Sequence, residues 1–82
     1  MKFGVIGIVI TDRSKAAEVQ NILSQFADVI LGRMGIPDQG TGASVISLIV
    51  RGSNESLSAL TGKLGRIPSV KAKTAVTDVA LS

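Results

Sequence analysis

The side chains that ordinarily carry catalysis are few and poorly spaced in this 82-residue chain. The carboxylates Asp12, Glu18, Asp28, Asp38, Glu55 and Asp78 stand singly, at positions that read as helix caps and turns. No two of them are spaced as a general acid with its general base. Histidine is absent, and with it the commonest general base and the commonest transition-metal ligand. The many Ser and Thr residues therefore cannot form a Ser–His–Asp triad, and no Ser–Lys pair has supporting spacing. Cysteine is also absent, which excludes a disulfide framework and a thiolate metal site. The glycine clusters fail as phosphate cradles. Gly40-Thr41-Gly42 leads into a strand rather than a helix, and Thr61-Gly62-Lys63 lacks the earlier glycine of a P-loop. Gly32-Arg33-Met34-Gly35 has the GxxG spelling of a KH loop but lies inside an apolar β pattern, which fits a twisted or bulged strand. The chain is expected to be no enzyme, with no catalytic residue, no cofactor and no metal.

What remains is binding chemistry. The net charge is +3 and the isoelectric point is near 9.8. The basic residues are scattered, with no run longer than Lys71-Ala72-Lys73, and there is no Tyr or Trp on which bases could stack. Solvated surface charge explains this better than nucleic acid does. A nucleic-acid-binding accessory is therefore the second reading, because an RRM stacks bases on aromatics of its central strands and only Phe3 is on offer.

The elements that must position any site follow from hydrophobic period. Phe3–Ile10 is β-branched and apolar at alternating positions on both sides, as in a central strand. Asp12 or Ser14 then caps a helix whose stripe is Ala16, Val19, Ile22, Leu23 and Phe26, ending near Ala27. Two apolar runs, Val29–Ile36 and Ala43–Val50, flank the turn Pro37–Gly42 and predict a long β-hairpin. Ser53 or Asn54 caps a second helix with the stripe Leu57, Leu60, Leu64. Gly62 inside it suggests close backbone packing, and Gly65 is suited to the C′ position. Ser69–Val79 is a last strand whose Lys71 and Lys73 suit a protected sheet edge.

This β-α-β-β-α-β order predicts an α+β, ferredoxin-like sandwich with strand order 4-1-3-2. It is a four-stranded antiparallel sheet with two helices on one face, and one domain spans residues 1–82. Two helices leave the second face uncovered. With Ile6/Ile8/Ile10, Ile46/Leu48/Val50 and Ile30/Met34/Ile36 turned to the helices, the open face holds Phe3, Val5, Val9, Leu31, Val45 and Ile49. Exposed aliphatics in that number predict another subunit, giving a dimer or tetramer. The expected interface is Val5, Gly7, Val9, Val45, Ser47 and Ile49, with Gly7 and Ser47 small enough for close approach. The same alternation puts the Arg33 guanidinium on the open face, where it is a candidate ligand contact. The opening MKFGVIGIVI is too short to span a bilayer and has no signal-peptide cleavage region, so no membrane association and a cytoplasmic location are expected.

Several stretches together carry a resemblance. Phe3-Gly4-Val5-Ile6-Gly7-Ile8, Leu31-Gly32-Arg33-Met34-Gly35-Ile36-Pro37, Val45-Ile46-Ser47-Leu48-Ile49-Val50 and Leu60-Thr61-Gly62-Lys63-Leu64-Gly65 resemble the regulators of the iron-only hydrogenase system. That family is similar to a stand-alone ACT-like domain, related in fold to the ligand-binding half of the nickel-responsive regulator. The resemblance implies a non-enzymatic regulatory oligomer that binds a small-molecule or anionic ligand or a partner protein. It also implies a ligand between subunits near the first strand-to-helix turn, here Thr11, Asp12 and Arg13, where a helix N-terminus would offer N–H groups to an anion. The chain departs from the nickel-responsive regulator in lacking His and Cys, and its sheet begins where a DNA-reading segment would stand.

Overall fold

The computed structural model describes residues 1–80. The elements are β1 (Lys2–Ile10), α1 (Ala16–Gln25), β2 (Ile30–Pro37), β3 (Ser44–Gly52), α2 (Asn54–Gly65) and β4 (Val70–Asp78). Short 3-10 turns, Arg13–Lys15 and Ala27–Val29, lead into α1 and away from it. The sheet is antiparallel throughout in the order β2-β3-β1-β4, the predicted order read from the opposite edge. β4 and β2 are its edges, so the lysine-bearing strand lies where its composition suggests.

One core holds this together. Ile6, Ile8 and Ile10 of β1 and Ile46, Leu48 and Val50 of β3 meet Val19 and Leu23 of α1 and Leu57, Leu60 and Leu64 of α2. Both helices thus cover the same face. Ser53 caps α2 by accepting a 3.1 Å bond from the Ser56 amide. The β1–β4 contact is close at Gly4: a Cβ there would stand 2.6 Å from the Val76 Cα and collide with the Ala75 carbonyl oxygen. At the hairpin tip the Asp38 carboxylate accepts from the amide and hydroxyl of Thr41, and Gly42 closes the turn with φ of +79°.

Three expectations need correction. β2 carries a bulge between Ile30 and Gly32, so Leu31 is an extra residue and every later side chain changes face. Arg33 pairs with Leu48 and Gly35 with Ile46, on the helix side. Met34 pairs with Ser47 and Ile36 with Val45, on the open side. Met34 and Ile36 are therefore exposed rather than helix-facing, and Arg33 is not on the open face. Gly62 packs against nothing, since a Cβ there would meet no atom within 4 Å. Gly65 ends α2 inside the helix, and the residue with positive φ before β4 is Ser69, at 65°.

Ser69 is held in that conformation from outside. Its carbonyl accepts the Thr11 amide at 2.9 Å and the Thr11 hydroxyl at 3.2 Å, joining the end of β1 to the start of β4. A β-branched side chain fits the left-handed region badly, so Ser69→Val should lower unfolding free energy by about 1–2 kcal/mol. Ser69→Gly should lose none of it. Urea denaturation of the two variants beside the wild type checks this, and a Ser69→Val protein of unchanged stability would contradict it.

Candidate functional site

Three places on the molecule hold the residues singled out by sequence. The first is the open face of the sheet. Cross-strand register sets Val9, Val45 and Ile36 in one row, Gly7, Ser47 and Met34 in the next, and Val5, Ile49 and Gly32 in a third. All six expected interface residues share this face, and the bulge adds Met34 and Ile36 to it. Val5 and Val9 are each 39% exposed, Ile49 47% and Val45 50%. A Cβ on Gly7 would touch nothing within 4 Å, so the face dips at its centre. Beside that dip lies a hollow of about 260 Å³ lined by Gly32, Arg33, Met34, Ser47 and Ile49. On β4, Lys71 stands opposite Val9 and Lys73 opposite Gly7, and Arg51 of β3 stands opposite Phe3. The face therefore joins an apolar area to a basic margin; among the described residues the one carboxylate on these strands, Asp78 of β4, lies on the helix side, where it pairs with Lys2 at 3.1 Å.

The second place is the β1–α1 turn. Thr11 is bound to Ser69, as described above. Asp12 caps the 3-10 turn: its Oδ1 accepts the Ser14 amide at 2.9 Å and the Ser14 hydroxyl at 2.8 Å. The Asp12 carboxylate thus occupies the place that an anion would take at this N-terminus. Arg13 is exposed.

The third place is the flank between α1 and β2, which sequence periodicity misses because the bulge residue is itself apolar and hides the change of face. Here the Arg33 guanidinium donates a 2.7 Å bond to Gln20 Oε1 of α1. A hollow of about 290 Å³, lined by Leu23, Ser24, Ala27, Ile30 and Gly32, lies on one side of Arg33. Another of about 160 Å³ lies on the other side and reaches Ile10, Ala16, Gly35 and Ile46. The glycines within a β pattern at Gly32 and Gly35 were the available signal. Thr11, Asp12 and Arg13 line neither hollow, so the four predicted ligand residues do not converge.

No group of three or more Asp or Glu residues able to hold a metal occurs among the described residues, and none of their helices is long and apolar enough to cross a membrane. Comparison with known proteins gives the lineage. Residues 2–74 match the TM1266-like family model, described as "Iron-only hydrogenase system regulator, putative". The chain belongs to the TM1266-like family. The uncharacterized protein TM1266 from Thermotoga maritima is 36% identical, with a TM-score of 0.88 over 95% of this chain and 100% of that one. Two distant structures share the fold. The nitrogen regulatory PII-like protein CPII from Thiomonas intermedia K12, solved with ADP, AMP and bicarbonate, is 11% identical, with a TM-score of 0.67 over 100% of this chain and 97% of that one. A formyltetrahydrofolate deformylase from Pseudomonas putida KT2440 is 9% identical, with a TM-score of 0.59 over 96% of this chain but 29% of its own. No curated protein matches. The TM1266-like description names regulation and no reaction.

In this TM1266-like chain the Asp12 cap has a pH signature. The Ser14 hydroxyl and amide, with help from the Lys15 charge, hold the Asp12 carboxyl below its ordinary 3.8. A carboxyl depressed by folding stabilises the native state fully above its unfolded value and loses that contribution as pH falls through the folded one. Asp12→Asn should therefore melt below the wild type at pH 7, with the gap closing on acidification below about pH 4. Thermal melts across that range check it. A gap that stays constant with pH would show that the charge of Asp12 contributes nothing.

Proposed function

We propose that this TM1266-like chain is a non-enzymatic regulatory domain of the iron-only hydrogenase system. In this reading it acts as a homo-oligomer, a dimer or tetramer, and responds to a small ligand or a partner protein. The observation that carries the reading is the open sheet face, where Val5, Val9, Met34, Ile36, Val45 and Ile49 are contiguous and at least a third exposed. Twofold pairing buries each of them twice. About a dozen side chains regaining roughly 1 kcal/mol each stand against the roughly 4–15 kcal/mol of lost rigid-body freedom. Gly7 and Ser47 keep the centre of the face low, so a second sheet can approach. The lysines on β4 lie at the margin, where long side chains reach water past an apolar contact. The family description supports the regulatory part of the reading.

A second reading takes the basic margin as its ground. Arg51, Lys71 and Lys73 share the open face with Phe3, and among the described residues no carboxylate forms an ion pair with them, which suits a nucleic-acid-binding accessory. Single-stranded and duplex probes at about 150 mM salt separate the two, since phosphate contacts would give binding that weakens steeply as salt rises.

Sedimentation equilibrium tests the first reading. The wild type should be a dimer or larger at micromolar concentration, and Val45→Glu and Gly7→Leu should each give folded monomers with lower melting temperatures. A wild type that sediments as a folded monomer would sink the oligomer and leave the face to another occupant.

A further inference from the structure

We propose that the groove between α1 and β2 binds a small aliphatic carboxylate that lacks an amino group. The inference rests on the reading above that the domain responds to a small ligand, and it names the place and the chemistry. The groove exists because of the bulge at Leu31. Without it, apolar residues of β2 would reach under α1. With it, the helix side of β2 presents Arg33 and Gly35. Two hollows then lie against the flank of the core, and both are lined by this one arginine. Leu23 and Ile30 form the floor of the larger hollow, and Ile10 and Ile46 that of the smaller one. Leu23, Ile10 and Ile46 are core residues, so an aliphatic chain laid here would extend the core itself.

Arg33 supplies the polar end. Among the described residues it is the single charged one lining either hollow. Among the described residues no carboxylate forms an ion pair with it. The bond to Gln20 Oε1 fixes the guanidinium between the two hollows while leaving further N–H donors unspent. A planar fork of donors with one positive charge matches one carboxylate, bound through two parallel hydrogen bonds. A phosphate dianion would need a second cation, and the groove has none. An α-amino acid would bring an ammonium group beside the Arg33 charge in a groove lined by no Asp or Glu, where like charge opposes it and no carboxylate offsets it. The larger hollow, at about 290 Å³, falls just below the roughly 300–1,000 Å³ range of small-molecule sites, which limits the aliphatic part to a short chain.

The test is an amide-resolved NMR titration of the intact chain with hexanoate, alongside norleucine, which has the same carbon chain plus an amino group. Hexanoate should shift the amides of Gln20, Gly32 and Gly35. Norleucine should bind about tenfold more weakly or not at all. Arg33→Ala should abolish the shifts, and Gln20→Glu, which gives Arg33 an internal carboxylate, should weaken them at least about tenfold. Both variants should keep the wild-type spectrum elsewhere and its sedimentation behaviour. The inference is overturned if norleucine binds as well as hexanoate, if Arg33→Ala binds unchanged, or if no shift appears at these amides at millimolar hexanoate. It is also overturned if the shifts centre on Thr11–Arg13 or on the open face, an outcome that leaves the ligand-responsive reading intact. A chain that is monomeric yet binds hexanoate through Arg33 overturns the oligomer and leaves this site standing.

Discussion

The structure depends on β1 being paired along its full length on both sides. Residues 2–10 run antiparallel to residues 44–52 of β3 and to residues 70–78 of β4 without a break in register. An unbroken register fixes face as well as neighbour, because side chains alternate along a strand. Ile6, Ile8 and Ile10 then have no choice but the helix side, and Val5, Gly7 and Val9 have none but the other. With both helices on one side, the two-sided apolar character of β1 leaves one layer of the molecule without a cover. That is a property of the central strand before it is a property of any surface.

How much of this can be read from residue order depends on where alternation is unbroken. In β1 and β3 it is, and the core positions Ile46, Leu48 and Val50 and the open positions Val45, Ser47 and Ile49 follow directly. In β2 it is not. Strict alternation from Ile30 puts Met34 and Ile36 with the helices, and the inserted Leu31 reverses this. Leu31 is as apolar as its neighbours, so nothing in hydropathy marks it as the extra residue. Helix stripes were legible for the same reason as β1: Val19 and Leu23, and Leu57, Leu60 and Leu64, recur at helical spacing and are buried. The glycines were less legible. Gly4 is required by a neighbouring strand, Gly42 by its backbone angle, and Gly62 by neither, yet all three are the same letter.

The candidate site was less legible than the fold because it depends on side-chain direction at single positions. Arg33 stands out as a charge within an apolar run, but the face it takes is decided two residues earlier. Gln20 draws no notice on a solvated helix surface until Arg33 is brought beside it. At the β1–α1 turn Asp12 and Thr11 use their hydrogen-bonding capacity within the turn and with Ser69. A polar turn at the end of a strand can as well be joinery as a binding site, and only the partners of each atom distinguish the two.

The pairing of β1 with β4 also has a consequence in time. It joins segments separated by most of the chain, so it contributes heavily to contact order and carries a large loop-closure cost. During synthesis β1 leaves the ribosome before its two partner strands, and β3 can pair with its inner side as soon as the hairpin emerges. The other side of β1 stays an open edge until β4 is released. For that interval the strand with the most continuous apolar sequence in the protein has a free edge, the condition under which nascent chains associate with one another. The lysines on β4 protect the finished sheet, but they arrive last.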